Sequence, residues 1–137
     1  MTELNSCVLI ADDEPYILRS LSFVLKRAGI EVHEARNGLD ALELIRRRRP
    51  AVVFLDIMMP ARNGYDVCRE VKSDDDLQGV HVILLTAKGQ EIDRTRGFDA
   101  GADEFITKPF SPSVILEKTQ AILEKASPRG AAKRPDY

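Results

Sequence analysis

The stretch Ala51–Pro60, "AVVFLDIMMP", decides the fold. Ala51 to Leu55 run apolar without a break, and then a carboxylate, Asp56, appears. An uninterrupted apolar run suits a strand buried on both faces, as in a parallel sheet. Its closing aspartate then has to lie at the rim of that sheet and not in its middle. Four other short aliphatic or β-branched runs accompany it: "CVLIA" (7–11), "EVHEA" (31–35), "HVILLT" (81–86) and "EFIT" (104–107).

Helical patterns fill the intervals. "EPYILRSLSFVLKRAG" sets Ile17, Leu21, Val24 and Ala28 on one stripe at three- and four-residue spacing. Pro15 near its first turn and Gly29 just past its end punctuate it as a helix, and Pro112 opens the last helix in the same way. "GLDALELIRRRR", "GYDVCREVKS", "QEIDRTRGFDA" and "SPSVILEKTQAILEKA" are the other four. Five β-α repeats predict an α/β fold, a doubly wound five-stranded parallel sheet with five helices on its two faces and right-handed crossovers. The alternating "EVHEA" and the short "EFIT" suit the edges, which implies the strand order 2-1-3-4-5.

A length of 137 residues allows one domain with a real core, and 44% hydrophobic with 31% charged residues is ordinary for a globular chain. No apolar run approaches the ~18 residues of a membrane span. "MTELNS" has neither the basic nor the apolar region of a signal peptide, so the expected location is the cytoplasm, without membrane contact. Cys7 and Cys68 stand far apart and read as reduced structural thiols, and with two histidines and no clustered cysteines a zinc site is not expected. The net charge is −2, and the tail "SPRGAAKRPDY" carries three positive charges and one negative, which leaves −4 on residues 1–126. A domain of that sign is a poor partner for nucleic acid. "RRRR" (46–49) reads as the cationic end of the second helix, where it complements the helix dipole. Residues 1–126 are expected to form the domain, and 127–137 a basic tail or linker.

In an open parallel sheet, sites form beyond the carboxyl ends of the strands where the strand order reverses. Strands one and three flank that point. Asp12 and Asp13 follow the first and Asp56 ends the third, so three carboxylates share one crevice. Each has a plainer reading: Asp13 could cap the first helix, and Asp56 could open a turn toward Pro60. Jointly these readings leave three like charges repelling one another. A divalent cation resolves this, and Mg2+ takes oxygen ligands from a few carboxylates with water and phosphate oxygens. The loop "ADDEP" has none of the glycines of a nucleotide-binding turn and repels phosphate unless a metal intervenes. Thr86 ends the fourth strand and Lys108 follows the fifth. Alone, these are a strand terminus and a solvated lysine. With the acids, they suit a site that transiently holds a phosphoryl group.

"DDE" after the first strand, "LDIMMPARNGYD" around the third, "LLTAKG" after the fourth and "GADEFITKPF" before the last helix together resemble a bacterial two-component response-regulator receiver domain, over about residues 7 to 125. The resemblance implies a flavodoxin-like sheet and a phosphoacceptor, Asp56, that attacks a phosphohistidine of a sensor histidine kinase or histidine phosphotransfer protein. It implies Mg2+ bound by Asp13, Asp56 and the backbone carbonyl of Met58, with Asp12 acting through water. Lys108 would pair with the phosphoryl oxygens. Thr86 would hydrogen-bond the phosphoryl group and, with Phe105, form the switch. The Lys108–Pro109 bond would be cis. Such a chain is not an enzyme beyond self-catalysed phosphoryl transfer and autodephosphorylation.

Met58 and Lys88 stand where the family varies and tunes phosphoryl lifetime, and Phe105 stands where a tyrosine is frequent, so its switch is read by packing. Arg94, Asp103, Glu104, Lys118 and Lys125 resemble the dimer face of receivers attached to winged-helix DNA-binding domains, although Val114 stands where an acid belongs. The expected output is a phosphorylation-dependent contact, with a second copy or an output protein, through the fourth helix, fifth strand and fifth helix. Tyr16, Leu18 and Phe23 lie outside the core stripe of the first helix and are expected to dock the kinase. Two rival readings remain. A haloacid-dehalogenase-type phosphatase needs a second aspartate where Met58 stands, and a non-phosphorylated binding module has usually lost an acid or the lysine.

Overall fold

The computed structural model describes residues 4–87 and 94–126. In chain order the elements are β1 (Asn5–Ala11), α1 (Pro15–Arg27), β2 (Glu31–Ala35), α2 (Gly38–Arg48), β3 (Pro50–Asp56), α3 (Gly64–Ser73), a single 3-10 turn (Asp75–Leu77), β4 (His81–Ala87), α4 (Arg94–Asp99), β5 (Glu104–Lys108) and α5 (Pro112–Ala126). The five strands form one sheet in the order β2-β1-β3-β4-β5, with every neighbouring pair parallel. This is the α/β architecture and order implied by the alternation of patterns. α1, α2, α3 and α5 run 13, 11, 10 and 15 residues, and α4 runs six. The expected start of the fourth helix and Lys88 lie outside the described residues, as does the tail 127–137.

β3 is buried along its whole length, as its unbroken apolar run requires. It can begin with Pro50 because the first residue of a strand tolerates a missing donor. Alternate strand residues feed two cores. Leu9, Val53, Leu55 and Leu84 face α2 and α3 residues such as Ile45 and Val71, while Val8, Ile10, Phe54 and Ile83 face Leu21, Leu25 and Ile115 of α1 and α5. Asn37 and Asn63 cap α2 and α3, their side-chain oxygens accepting from the backbone N–H groups of Asp40 and Asp66. α2 ends in the arginine run, with Arg46 paired to Glu70 and Asp74, Arg47 to Glu43, and Arg49 as a left-handed cap. Both cysteines are buried free thiols, and burial pushes each up to about 11. Among the described residues no helix is long and apolar enough to cross a membrane.

One sequence expectation fails at α1. Its buried face is Leu18, Leu21, Ser22 and Leu25, whereas Ile17 and Val24 sit at the margin and Ala28 is an exposed C-cap. Two apolar stripes overlap on this helix. Ser22 made the true one look interrupted, but its hydroxyl donates to the Glu34 carboxylate on β2 and so is satisfied where it is buried. Leu18, 3% exposed, therefore belongs to the core and is no docking residue, while Tyr16 and Phe23 are exposed at 66% and 61%. Leu18→Asp is expected to cost about 3 kcal/mol or more by burying a charge, and Phe23→Ser to stay within about 0.5 kcal/mol of the parent. Urea denaturation of the two variants checks this. A Leu18→Asp protein as stable as the parent would contradict the placement.

Candidate functional site

β1 and β3 are neighbours, so the chain segments leaving their carboxyl ends lie side by side. Ligating oxygens of Asp12, Asp13 and Asp56 all fall within 4.8 Å of one another. Asp12 is fully buried, Asp56 is 7% exposed and Asp13 is exposed. The plainer reading of Asp13 does not hold, because the N-cap of α1 is Glu14 and no side chain caps it. The Glu14 N–H is instead taken by Asp12 Oδ1 at 3.0 Å. The plainer reading of Asp56 holds in part, since its Oδ1 accepts from the Met58 N–H at 3.2 Å and so starts the turn out of β3. Its Oδ2 faces Lys108.

Lys108 ends β5 with its ammonium among the acids. Nζ lies 2.9 Å from Asp12 Oδ2, 3.5 Å from Asp56 Oδ2 and 3.5 Å from Glu14 Oε1. Burial opposes its charge, but Asp12, Asp56 and Glu14 outweigh burial and hold the group above the ordinary lysine value. Asp56 responds in the opposite sense. Burial and the neighbouring Asp12 push its carboxyl up to about 6, against the pull of Lys108 and the Met58 N–H. One lysine does not neutralise three carboxylates.

Asp12 Oδ2 shows the same deficit. It has Lys108 at ion-pair distance but accepts no hydrogen bond of good geometry, though it is buried. A buried oxygen short of a donor, inside a set of hard carboxylate oxygens, fits a hydrated divalent cation of the Mg2+ type.

The remaining expected residues divide. Thr86 is buried on β4, directly after Leu85, the register partner of Asp56, and its hydroxyl donates to the Ala87 carbonyl at 3.3 Å. Phe105 pairs in register with Leu84 and packs edge-on against Phe98 of α4, with ring centroids 4.7 Å apart. Met58 has an exposed side chain and meets Asp56 through its backbone. The Lys108–Pro109 bond is cis.

Two residues that carried no role in the sequence reading also matter. Glu14 stands in "ADDEP" and opens the first helical pattern, without a role there, yet it completes the acidic collar of Lys108. Gly64 opens α3 directly beneath Asp56. A Cβ there would lie 2.7 Å from the Asp56 carbonyl oxygen and 2.9 Å from Ile57 Cα, so any side chain would displace the backbone that carries the central carboxylate. A glycine at a helix start, a few residues after a site aspartate, was the available signal.

The raised Asp56 value has a consequence for stability. Its ordinary value is 3.8, so ionisation disfavours the folded state progressively from about pH 4 to about pH 6, and the whole cost is present above that. Asp56→Asn lacks the charge. Without divalent cation at about pH 7.5 it is expected to be more stable than the parent by on the order of 2 kcal/mol, with no gain near pH 4. The gain should shrink when Mg2+ is added. Urea midpoints at the two pH values test this, and a variant less stable at neutral pH would contradict it.

Comparison with known proteins agrees with this geometry. The family model described as "Response regulator receiver domain" matches residues 8–120. The signal receiver domain of a signal transduction histidine kinase from Syntrophus aciditrophicus is 32% identical, with 94% of this chain and 93% of that one covered and a TM-score of 0.79. The chemotaxis response regulator CheY4 of Vibrio cholerae is 27% identical, covering 89% and 99%, with a TM-score of 0.78. The receiver domain of the sensor histidine kinase PA1611 from Pseudomonas aeruginosa PAO1, solved with a magnesium ion coordinated in its active site cleft, is 25% identical, covering 85% and 95%, with a TM-score of 0.76. With the matched region spanning both site strands, the acid cluster and the lysine strand, the chain belongs to the response-regulator receiver domain family of two-component signalling systems.

Proposed function

We propose that Asp56 is the phosphoacceptor of this receiver domain. The observation that carries the reading is the cluster of Asp12, Asp13 and Asp56 oxygens within 4.8 Å, with Lys108 reaching into it. Family members accept phosphoryl groups and are not generally classed as enzymes, so the chemistry is one transfer and not turnover of a substrate pool. An Asp56 oxygen bonds to phosphorus as the phosphorus–nitrogen bond of a phosphohistidine breaks. The electron pair returns to the imidazole, so this chain needs no general base. The donor is a histidine kinase or a histidine phosphotransfer protein.

Asp13 and Asp56 would hold Mg2+ directly, with the Met58 carbonyl, and Asp12 through water. When bound, the ion supplies neutralisation of the charge on the transferring group. The chain's own residues do the rest. The Met58 N–H fixes one Asp56 oxygen, leaving the other toward Lys108. Lys108, held by Asp12 and Glu14, would pair with phosphoryl oxygens. Phosphorylation then favours a Thr86 hydroxyl turned to the phosphoryl group, away from the Ala87 carbonyl, and a repacked Phe105.

Acetyl phosphate should add one phosphoryl group, visible by mass spectrometry, only when Mg2+ is present. Asp56→Asn should remain unlabelled, and Asp13→Ala should need about ten times more Mg2+ or beyond, because a charged oxygen ligand is lost. Full labelling of Asp56→Asn would remove the assignment.

The output reading is a protein contact on α4, β5 and α5. The Arg94 side chain lies outside the described residues, and three of the other charges expected there are matched within the chain: Glu104 meets Lys118 at 2.6 Å and His81 at 2.8 Å, and Asp103 meets Lys72 at 2.7 Å. A second copy docking through these charges would have to exchange internal pairs for external ones. Phe98 against Phe105 gives this face an apolar feature, which favours a contact read by packing. Amide chemical shifts of the beryllofluoride-bound protein should move along β5 and α4. Unmoved signals there at full occupancy of Asp56 would overturn the switch.

A further inference from the structure

The opposite end of the sheet carries a second set of metal-ligating side chains. β1 and β2 run parallel with Cys7 paired to Glu31 and Leu9 to His33. Residues two apart on a strand share a face, and register partners lie side by side, so Cys7, Glu31 and His33 project together. The Cys7 sulfur, a Glu31 oxygen and a His33 ring nitrogen all lie within 4.8 Å of one another, and His33 Nε2 is 2.7 Å from Glu31 Oε2. Glu31 lies 24 positions after Cys7, which is why the sequence shows no zinc spacing.

We propose that Cys7, Glu31 and His33 form a binding site for a thiolate-seeking d-block cation of the Zn2+ type. Each residue supplies one donor of the kinds Zn2+ prefers: sulfur, imidazole nitrogen and carboxylate oxygen. Ligands around a tetrahedral ion stand roughly 3.3–3.8 Å apart, so atoms now within 4.8 Å of one another need to close by about 1.5 Å at most, while His33 Nε2 and Glu31 Oε2, at 2.7 Å, need to open slightly. The thiolate and carboxylate balance the two positive charges, and the neutral imidazole adds none. The thiol proton leaves to solvent on binding. Cys7 is buried, His33 partly so and Glu31 exposed, which leaves the fourth position open on the sheet edge for water or another ligand. The charge opposing the ion is Arg48, at the end of α2 and near Cys7. Hard ions such as Mg2+ avoid sulfur and imidazole, so this site and the aspartate cluster discriminate between cation classes. The bound ion would tie the edge strand β2 to β1 through side chains as well as the backbone ladder.

The test uses the full chain, reduced and stripped of metal, with saturating Mg2+ on the aspartates. Titration with Co2+ should give one equivalent of a thiolate-to-cobalt charge-transfer band together with intense tetrahedral visible bands, and Zn2+ should displace both. His33→Gln, a change at a partly exposed edge, should weaken binding by roughly tenfold or more. Cys7→Ser should abolish the charge-transfer band, and Cys68→Ser should leave it intact. Mg2+-dependent labelling by acetyl phosphate and the far-ultraviolet circular dichroism report that each variant is folded. No charge-transfer band in the parent, a band that survives Cys7→Ser, or unchanged affinity in His33→Gln overturns the proposal.

Discussion

The mutual repulsion of Asp12, Asp13 and Asp56 is the constraint on which the rest of the site depends. Parallel pairing of β1 with β3 forces their outgoing segments together, so the sheet that stabilises the fold also creates the electrostatic debt at its rim. Lys108 offsets part of it from β5, two strands away from β3. The remainder appears as an Asp56 carboxyl held at about 6 and a buried Asp12 oxygen that has the Lys108 ammonium at ion-pair distance but no hydrogen bond of good geometry. A site so arranged responds to any ligand that brings positive charge, and through such a ligand to an anion. Ionisation of the cluster costs stability, and shifted ionisable groups of this kind are common at functional sites.

The backbone around the acids is correspondingly constrained. Gly64 lets the start of α3 press against Asp56 and Ile57, and its N–H donates to the Ile57 carbonyl at 2.9 Å. Arg62 in the same loop pairs with Glu70 of α3, which also holds Arg46 of α2. The segment after β3 is thus anchored on both sides. Exposed pairs of this kind add little stability singly, but they restrict the positions the loop can take.

The same pairing logic operates on the far face. Several charges that look available in the sequence are engaged within the chain, with Glu104 held below the ordinary carboxylate value by Lys118 and His81 despite partial burial. A list of charged residues on a face therefore does not define an interface. Their internal partners decide what a second molecule finds there, and the exposed Phe98 beside Phe105 has no charge to exchange.

The sequence by itself determined the α/β class, the strand order and the meeting of Asp12, Asp13, Asp56 and Lys108 at one end of the sheet. These follow from periodicity, from the alternation of elements and from the handedness of crossovers, all of which are local or topological. It also read the arginine run correctly as a helix end. Helix rotation, strand register and side-chain reach were decided only in three dimensions. Leu18 or Val24 could each have faced the core until Ser22 found Glu34. Glu14 meets Lys108 across 94 positions of sequence, and Cys7 meets Glu31 and His33 only because β1 and β2 pair in one particular register. Such contacts depend on distances between elements, and the pattern along a single element carries no measure of those.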